Sequence, residues 1–148
     1  MSSPRLLFSV EEHRYLIELE AVAELAPATK PRLIPGVPLS LAGIMNVRGE
    51  PVPVVDGGAA LQGRCGTGGP HALLLDAEGH RIGVLVSSVA RIERRSPARP
   101  EGAREEPSPF PFLQNALLPD GEVRLVEVGG LLARARELLC PSAMGGVT

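Results

Sequence analysis

The sequence predicts a mainly β fold made of two small barrels, and three observations carry that prediction: the composition, an internal repeat and the pattern of short strands. Gly and Pro number 17 and 15 among 148 residues, while aromatic residues make up only 3%. Such a chain disfavours long-helix bundles and favours short strands broken by turns. Apolar residues reach 44%, and a chain of this length buries roughly 68–70% of its unfolded surface, enough for a core.

The repeat appears when the chain is shifted by 67 residues, which lays 6–25 on 73–92 without a gap. Seven of these twenty positions are identical: Leu6, Leu7, Glu11, His13, Arg14, Val22 and Ala23 meet Leu73, Leu74, Glu78, His80, Arg81, Val89 and Ala90. Ordinary residue frequencies would give about one or two. A shift of 71 lays 52–58 on 123–129 and Leu61 on Leu132. The difference between the shifts is absorbed by the segment 96–111, whose five prolines read as an exposed connector. The expected units are therefore 6–61 for a first barrel and 73–132 for a second.

Each element follows from local pattern. Alternating apolar residues predict strands over 5–10 and 14–19 around a turn at 11–13, with counterparts over 72–76 and 81–86 around Glu78 and Gly79. Short third strands fall over 22–25 and 89–92. Strands over 41–47 and 51–56 turn at 48–50, and strands over 112–118 and 122–128 turn at Pro119-Asp120-Gly121, residues suited to a tight turn. Five antiparallel strands per unit suggest closed barrels, because closure removes exposed edges. Leu131, Leu132, Ala135, Leu138 and Leu139 recur at helical spacing, so 129–139 is expected as a terminal helix and 140–148 as a tail. A unit of about 70 residues supplies only about 3–5 kcal/mol from its own core. Two such units should lean on one another and leave a groove along their seam, where partners bind.

Charge excludes several functions. Fifteen basic residues stand against seventeen acidic ones, and the halves 1–63 and 64–148 carry 5 against 7 and 10 against 10. Neither half has the basic excess that a phosphate backbone requires, so no nucleic-acid partner is expected. Lys30 is the only lysine; a Walker-type loop or a Schiff base would have to use it. The longest apolar stretches, near 39–47 and 82–90, fall short of a membrane span, so no direct membrane insertion is expected. Cys65 and Cys140 lack metal-ligand spacing. One disulfide could form, and reduced thiols in a cytoplasmic protein are the favoured reading.

No catalytic, cofactor or metal site is expected. His13 and His80 occupy matching turns, and His71 follows the Gly-rich stretch 63–69, which lacks the Lys-Ser/Thr ending of a phosphate loop. Asp56 and Glu127 are repeat-equivalent and each precedes a predicted helix, where a carboxylate caps. A less favoured alternative is a small enzyme with Asp56 or Cys65 in the groove; it would need Asp56, His71 and Arg48 gathered in one deep pocket. The informative positions are those where the copies differ: Arg48 lies opposite Pro119, and Glu24 lies opposite Arg91.

Several blocks then carry a resemblance. Leu33-Ile-Pro-Gly-Val-Pro38, Leu41-Ala-Gly-Ile-Met-Asn-Val-Arg-Gly49 and Pro51-Val-Pro-Val-Val-Asp56 resemble the CheW-like domain, as do Val22-Ala-Glu-Leu25 and Arg81-Ile-Gly-Val-Leu-Val86. The resemblance covers residues 5–139. It implies a single domain of two pseudo-symmetric five-stranded SH3-like barrels with a C-terminal helix, and a non-catalytic chemotaxis adaptor. The implied partners are the coiled-coil cytoplasmic tip of a chemoreceptor and the regulatory domain of a CheA-type histidine kinase, met at membrane-associated arrays in the cytoplasm. Carried over by motif, Val22, Glu24, Asn46 and Arg48 fall in the family's partner-binding region. The sequence departs from the pattern at Ser87, where the family has an acid, at Gln114, where it has Gly, at Gly57, where it has Leu, and at Glu127, where it has Asp. Three of the four lie in the expected second barrel, which in the family contributes to kinase contacts. The alternative reading is therefore a divergent paralogue that binds receptors with weakened or lost kinase binding.

Overall fold

The computed structural model describes residues 3–66, 69–99 and 108–140. In chain order they form β1 (Arg5–Val10), β2 (His13–Glu18), β3 (Val22–Pro27), β4 (Ala42–Val47), β5 (Glu50–Asp56), α1 (Gly57–Leu61), β6 (His71–Ala77), β7 (His80–Val86), β8 (Ser88–Glu93), β9 (Leu113–Leu118), β10 (Gly121–Val126) and α2 (Val128–Leu139). Every strand expected from sequence is present, with ends shifted by one or two residues. The part of the 96–111 connector that spans 100–107, and the tail beyond Cys140, lie outside the described residues.

Two hairpins use two-residue turns with both φ angles positive. Arg48 and Gly49 adopt 50° and 86°, and Glu78 and Gly79 adopt 51° and 87°. These mirror-image turns match the right-handed twist of the flanking strands, and glycine carries the second left-handed position without strain.

The strands form two five-stranded sheets, ordered β8-β1-β2-β10-β9 (sheet 1) and β3-β6-β7-β5-β4 (sheet 2). All pairs are antiparallel except β2 with β10 and β5 with β7. Each sheet rolls until its outer strands meet through one returning segment: Arg32 bridges Ile44 beside β4, and Ala98 bridges Leu117 on β9. This is the roll of an SH3-like barrel, present twice.

The assignment of 6–61 to one barrel and 73–132 to the other is corrected by this order. Sheet 1 combines the hairpin of the first copy with β8, β9 and β10, and sheet 2 combines the hairpin of the second copy with β3, β4 and β5. The physical reason is connection length. Ser87 alone separates β7 from β8, and two residues are the usual minimum for reversing a strand into a neighbouring position. The chain therefore runs on into the other sheet, and the 3-10 turn Leu19–Ala21 does the same between β2 and β3.

The exchange explains the continuous apolar runs at the repeat starts. Strands buried on both faces lose the apolar–polar alternation. Leu6 and Phe8 face a large core shared by both sheets and α2, while Leu7 faces the small interior of sheet 1 with Leu16 and Val123. In the same way Leu73 and Leu75 join the shared core, and Leu74 packs inside sheet 2 with Met45, Val54 and Leu85. α2 buries Leu131, Ala135 and Leu138 along one stripe. α1 sits so close to β7 that a Cβ on Gly57 would collide with the Leu85 carbonyl oxygen.

Candidate partner-binding site

Sheet 2 has β3 and β4 as its outer strands; Val22 and Glu24 lie on β3, Asn46 on β4, and Arg48 in the turn that follows β4. Val22 is half-buried on β3 and packs against the shared core. Asn46 is exposed on β4, opposite Pro51. Glu24 on β3 and Arg48 in the β4–β5 turn meet across the seam of the rolled sheet. Both terminal nitrogens of the Arg48 guanidinium donate to the two Glu24 carboxylate oxygens, a fork that fixes orientation as well as charge. Arg81, at the start of β7, donates from Nη1 to Glu24 Oε1 at 3.3 Å, and its Nε lies 3.5 Å from Asp76 Oδ1. Among the described residues neither Val22 nor Asn46 joins this network. The structure thus unites two of the four motif residues and adds Arg81, which the sequence offered as a repeat identity and as the first residue of a resemblance block, without a binding role.

The electrostatics follow from the geometry. The Arg48 hydrogen bonds hold the Glu24 carboxyl below its ordinary value, and the same bonds push Arg48 further up. Glu24 is sheltered, its side chain 20% exposed, while the Arg48 side chain is 70% exposed. Two of the five guanidinium N–H donors serve the fork, which leaves others directed at solvent.

Beside this network runs a groove of about 1040 Å³ between the β4–β5 hairpin, the β6–β7 hairpin and the C-terminal end of α2. Val47, Val52, Ile82 and Leu139 give it apolar lining, and Arg48, Arg81 and Arg136 stand among its charged lining residues. It lies between sheet 2 and the helix that follows sheet 1, with no strand of sheet 1 in its lining, whereas the sequence led to the expectation of a groove between the two barrels.

Sheet 1 carries a counterpart. Asp120, in the β9–β10 turn, accepts from Arg14 Nη1 at 3.1 Å and from Arg91 Nη2 at 3.3 Å. Arg14 and Arg91 are the repeat equivalents of Arg81 and Glu24, and the Asp120 turn is the equivalent of the Arg48 turn. The acid has moved from strand to turn, and the base from turn to strand. Sequence reasoning saw both mismatches separately; their reciprocal change of sign was the signal that the two positions touch.

The remaining candidates are placed as follows. Asp56 caps α1, its Oδ2 accepting from Ala59 N at 2.9 Å and from Gly66 N at 2.8 Å. The Gly-rich stretch is thereby tied to a carboxylate instead of presenting that amide to phosphate. Glu127 occupies the N-cap position of α2 but makes no capping hydrogen bond with its side chain. Asp56 and Arg48 line different cavities, and His71 lines neither, so neither of these two cavities gathers the three residues. Cys65 and Cys140 are both exposed. No described helix is long and apolar enough to cross a membrane.

Comparison with known proteins adds to this geometry. The family model for the CheW-like domain matches residues 5–136. Among solved structures, the scaffolding protein TtCheW from Thermoanaerobacter tengcongensis is similar at a TM-score of 0.68, with 22% identity over 88% of this chain and 88% of that one. That likeness supports the fold. No curated protein matches the sequence.

Proposed function

The chain belongs to the CheW-like domain family, and on that premise we propose that it is a non-catalytic chemotaxis adaptor coupling the coiled-coil cytoplasmic tip of a chemoreceptor to a CheA-type histidine kinase. The observation that supports this reading best is the Glu24–Arg48 fork at the groove. A largely exposed guanidinium, oriented by a sheltered carboxylate beside apolar lining, suits a partner helix with an apolar stripe and a polar edge. In this reading Arg48 contacts the partner, Glu24 and Arg81 position it, and Val22 and Asn46 shape the neighbouring surface. The adaptor would work in the cytoplasm at receptor arrays.

Calorimetry tests it with two partners, a receptor-tip fragment and a kinase regulatory domain. Both should bind the unaltered chain, and Arg48→Ala should weaken receptor binding. Failure of both partners to bind would overturn the proposal.

A second reading, a receptor-binding paralogue with reduced kinase affinity, draws on Ser87 and Gln114. Ser87 Oγ accepts the Glu11 amide at 2.8 Å, so this position is tied to the β1–β2 turn without contributing a charge. Gln114 is exposed on β9, an outer strand of sheet 1. Kinase binding much weaker than receptor binding in the same calorimetry would favour this reading.

A further inference from the structure

A second cavity lies at the other end of β4 from Arg48. Its volume is about 540 Å³, and its lining includes Pro31, Leu39, Val54 and Leu85 with Lys30 and Asp56. One wall is a strap, residues 28–41, that returns along β4. Arg32 and Ile44 exchange backbone hydrogen bonds of 2.7 and 2.9 Å there. The close approach is permitted by Gly43, where a Cβ would collide with Pro31 and the Arg32 carbonyl oxygen.

Two features of the strap point outward. Leu33 and Leu39 are 62% and 53% exposed, more than the other exposed large apolar side chains of the described residues. Lys30 and Arg32 are the strap's only charged residues. Both are exposed, and neither makes an ion pair or side-chain hydrogen bond among the described residues. The arginines of the two clusters, by contrast, all have carboxylate partners. Unpaired cations beside an apolar cleft and two uncovered leucines form a surface with the charge and shape of one half of an interface.

We propose that this cleft is a docking site, separate from the Arg48 groove, for a peptide segment with an apolar anchor flanked by acidic residues. The anchor enters between Leu39 and the Val54–Leu85 wall, and the flanking acids pair with Lys30 and Arg32 at the rim. Asp56 decides which part enters: its buried carboxylate disfavours an anion inside the cleft, so the acids stay outside and the apolar side chain goes in. The inference does not depend on the chemotaxis reading, because no residue of the Arg48 network contributes.

The test is an amide-shift titration of the full chain with a capped hexapeptide, a Leu-Phe pair flanked by two acids on each side. Saturable shifts are expected at the amides of Leu39, Gly43 and Leu85. Binding should weaken at least tenfold in the double variant Lys30→Glu, Arg32→Glu and in Leu39→Ser, both of which alter exposed side chains. Arg48→Ala should leave it unchanged, so loss of receptor binding and loss of peptide binding separate. The proposal is overturned if no saturable shift appears at these amides up to millimolar peptide. It is overturned equally if an Ala-Ala-centred or Lys-flanked analogue binds as well, or if the charge-reversed variant binds unimpaired. Co-sedimentation with phosphatidylserine vesicles that is lost in Leu33→Ser, Leu39→Ser would assign the strap to an anionic membrane instead.

Discussion

The two barrels solve the same closure problem with charges of opposite placement. In sheet 2 the acid is on the strand and the exposed base is in the turn; in sheet 1 the base is on the strand and the acid is in the turn. Each trio takes its third member from the other half of the chain, Arg81 in one case and Arg14 in the other. The seam evidently needs a carboxylate between two guanidinium groups, but either sign can face outward. The trios also differ in what else holds them. Arg91 also pairs with the buried Glu93 at 3.0 Å, and Arg14 donates from Nε to the Glu122 carbonyl oxygen at 3.3 Å. Among the described residues Arg48 has only Glu24. One cluster is built into its barrel; the other leaves its arginine turned towards solvent.

The strand exchange behind this arrangement gives the largest expected effect. Residues 1–66 contain β1 to β5, yet these strands belong to two different sheets. That fragment should show no cooperative unfolding by circular dichroism, while mixing it with residues 69–148 should restore one. A fragment that folds alone would reinstate the copies as barrels. A smaller break comes from the shared core. Phe8 is 1% exposed and stacks on Tyr15 with ring centroids 5.5 Å apart. Phe8→Ala should cost about 3–5 kcal/mol, as large-to-small core changes do. Hydrogen exchange should report weakened protection in both sheets, because the cluster spans them; loss confined to sheet 1 would show two independent cores.

The turn clusters separate at the level of binding. Arg48→Ala should weaken receptor-tip binding roughly 30-fold, the size of a modest arginine hot spot, and leave the melting temperature within a degree or two. Arg91→Ala should do the reverse, lowering the melting temperature and sparing receptor binding. Identical behaviour of the two variants would remove the distinction between the built-in and the outward-facing arginine.

Acid should distinguish the sheets as well. Glu93 sits at about 2, well below the 4.5 of an ordinary glutamate, because the Arg95 amide, the Arg95 guanidinium and Arg91 all donate to it. A depressed carboxyl stabilises the fold fully above its unfolded value and loses that contribution as pH falls through its folded one. Stability should therefore decline between pH 4.5 and 2, and Glu93→Gln should flatten that part of the profile. The repeat equivalent in sheet 2 is Ala26, which cannot titrate. Urea midpoints measured across this range would show the effect; an unchanged slope in Glu93→Gln would place acid sensitivity in Glu24 and Asp120, both also held low by arginine.

Legibility in the sequence followed the range of the interaction. Strands, turns and α2 depend on neighbours a few residues apart, and alternation, Gly-containing turns and helical spacing exposed them. The repeat was visible because hairpins keep their residues together. Which hairpin enters which sheet was not visible, because the parallel contacts of β2 with β10 and β5 with β7 join segments far apart in the chain. The site followed the same rule. Arg48 and Glu24 each stood out, as a turn residue and as a strand residue unlike their counterparts, but nothing local joins positions 24 residues apart. Arg81 stayed hidden because its identity with Arg14 marks only the repeat, and nothing local joins it to Glu24, 57 residues away.

The smallest expected effect concerns the sheet 1 positions that depart from the family pattern. Ser87 Oγ accepts the Glu11 amide, and an aspartate carboxylate could accept the same N–H, so Ser87→Asp should restore the charge without loosening the turn. Gln114 is exposed on β9 opposite Leu125, where glycine would cost roughly 0.5–1 kcal/mol of strand stability. If the kinase regulatory domain approaches this sheet, the added charge improves complementarity and the removed side chain lets two backbones come closer. The double variant should therefore bind the kinase domain a few-fold more tightly despite a slightly lower melting temperature, with receptor binding unchanged because the Arg48 network lies in the other sheet. Paired calorimetry of both proteins against both partners measures this. Equal kinase affinity before and after substitution would mean that Ser87 and Gln114 lie outside the kinase contact, and that the comparison between sheets stops at their charged turns.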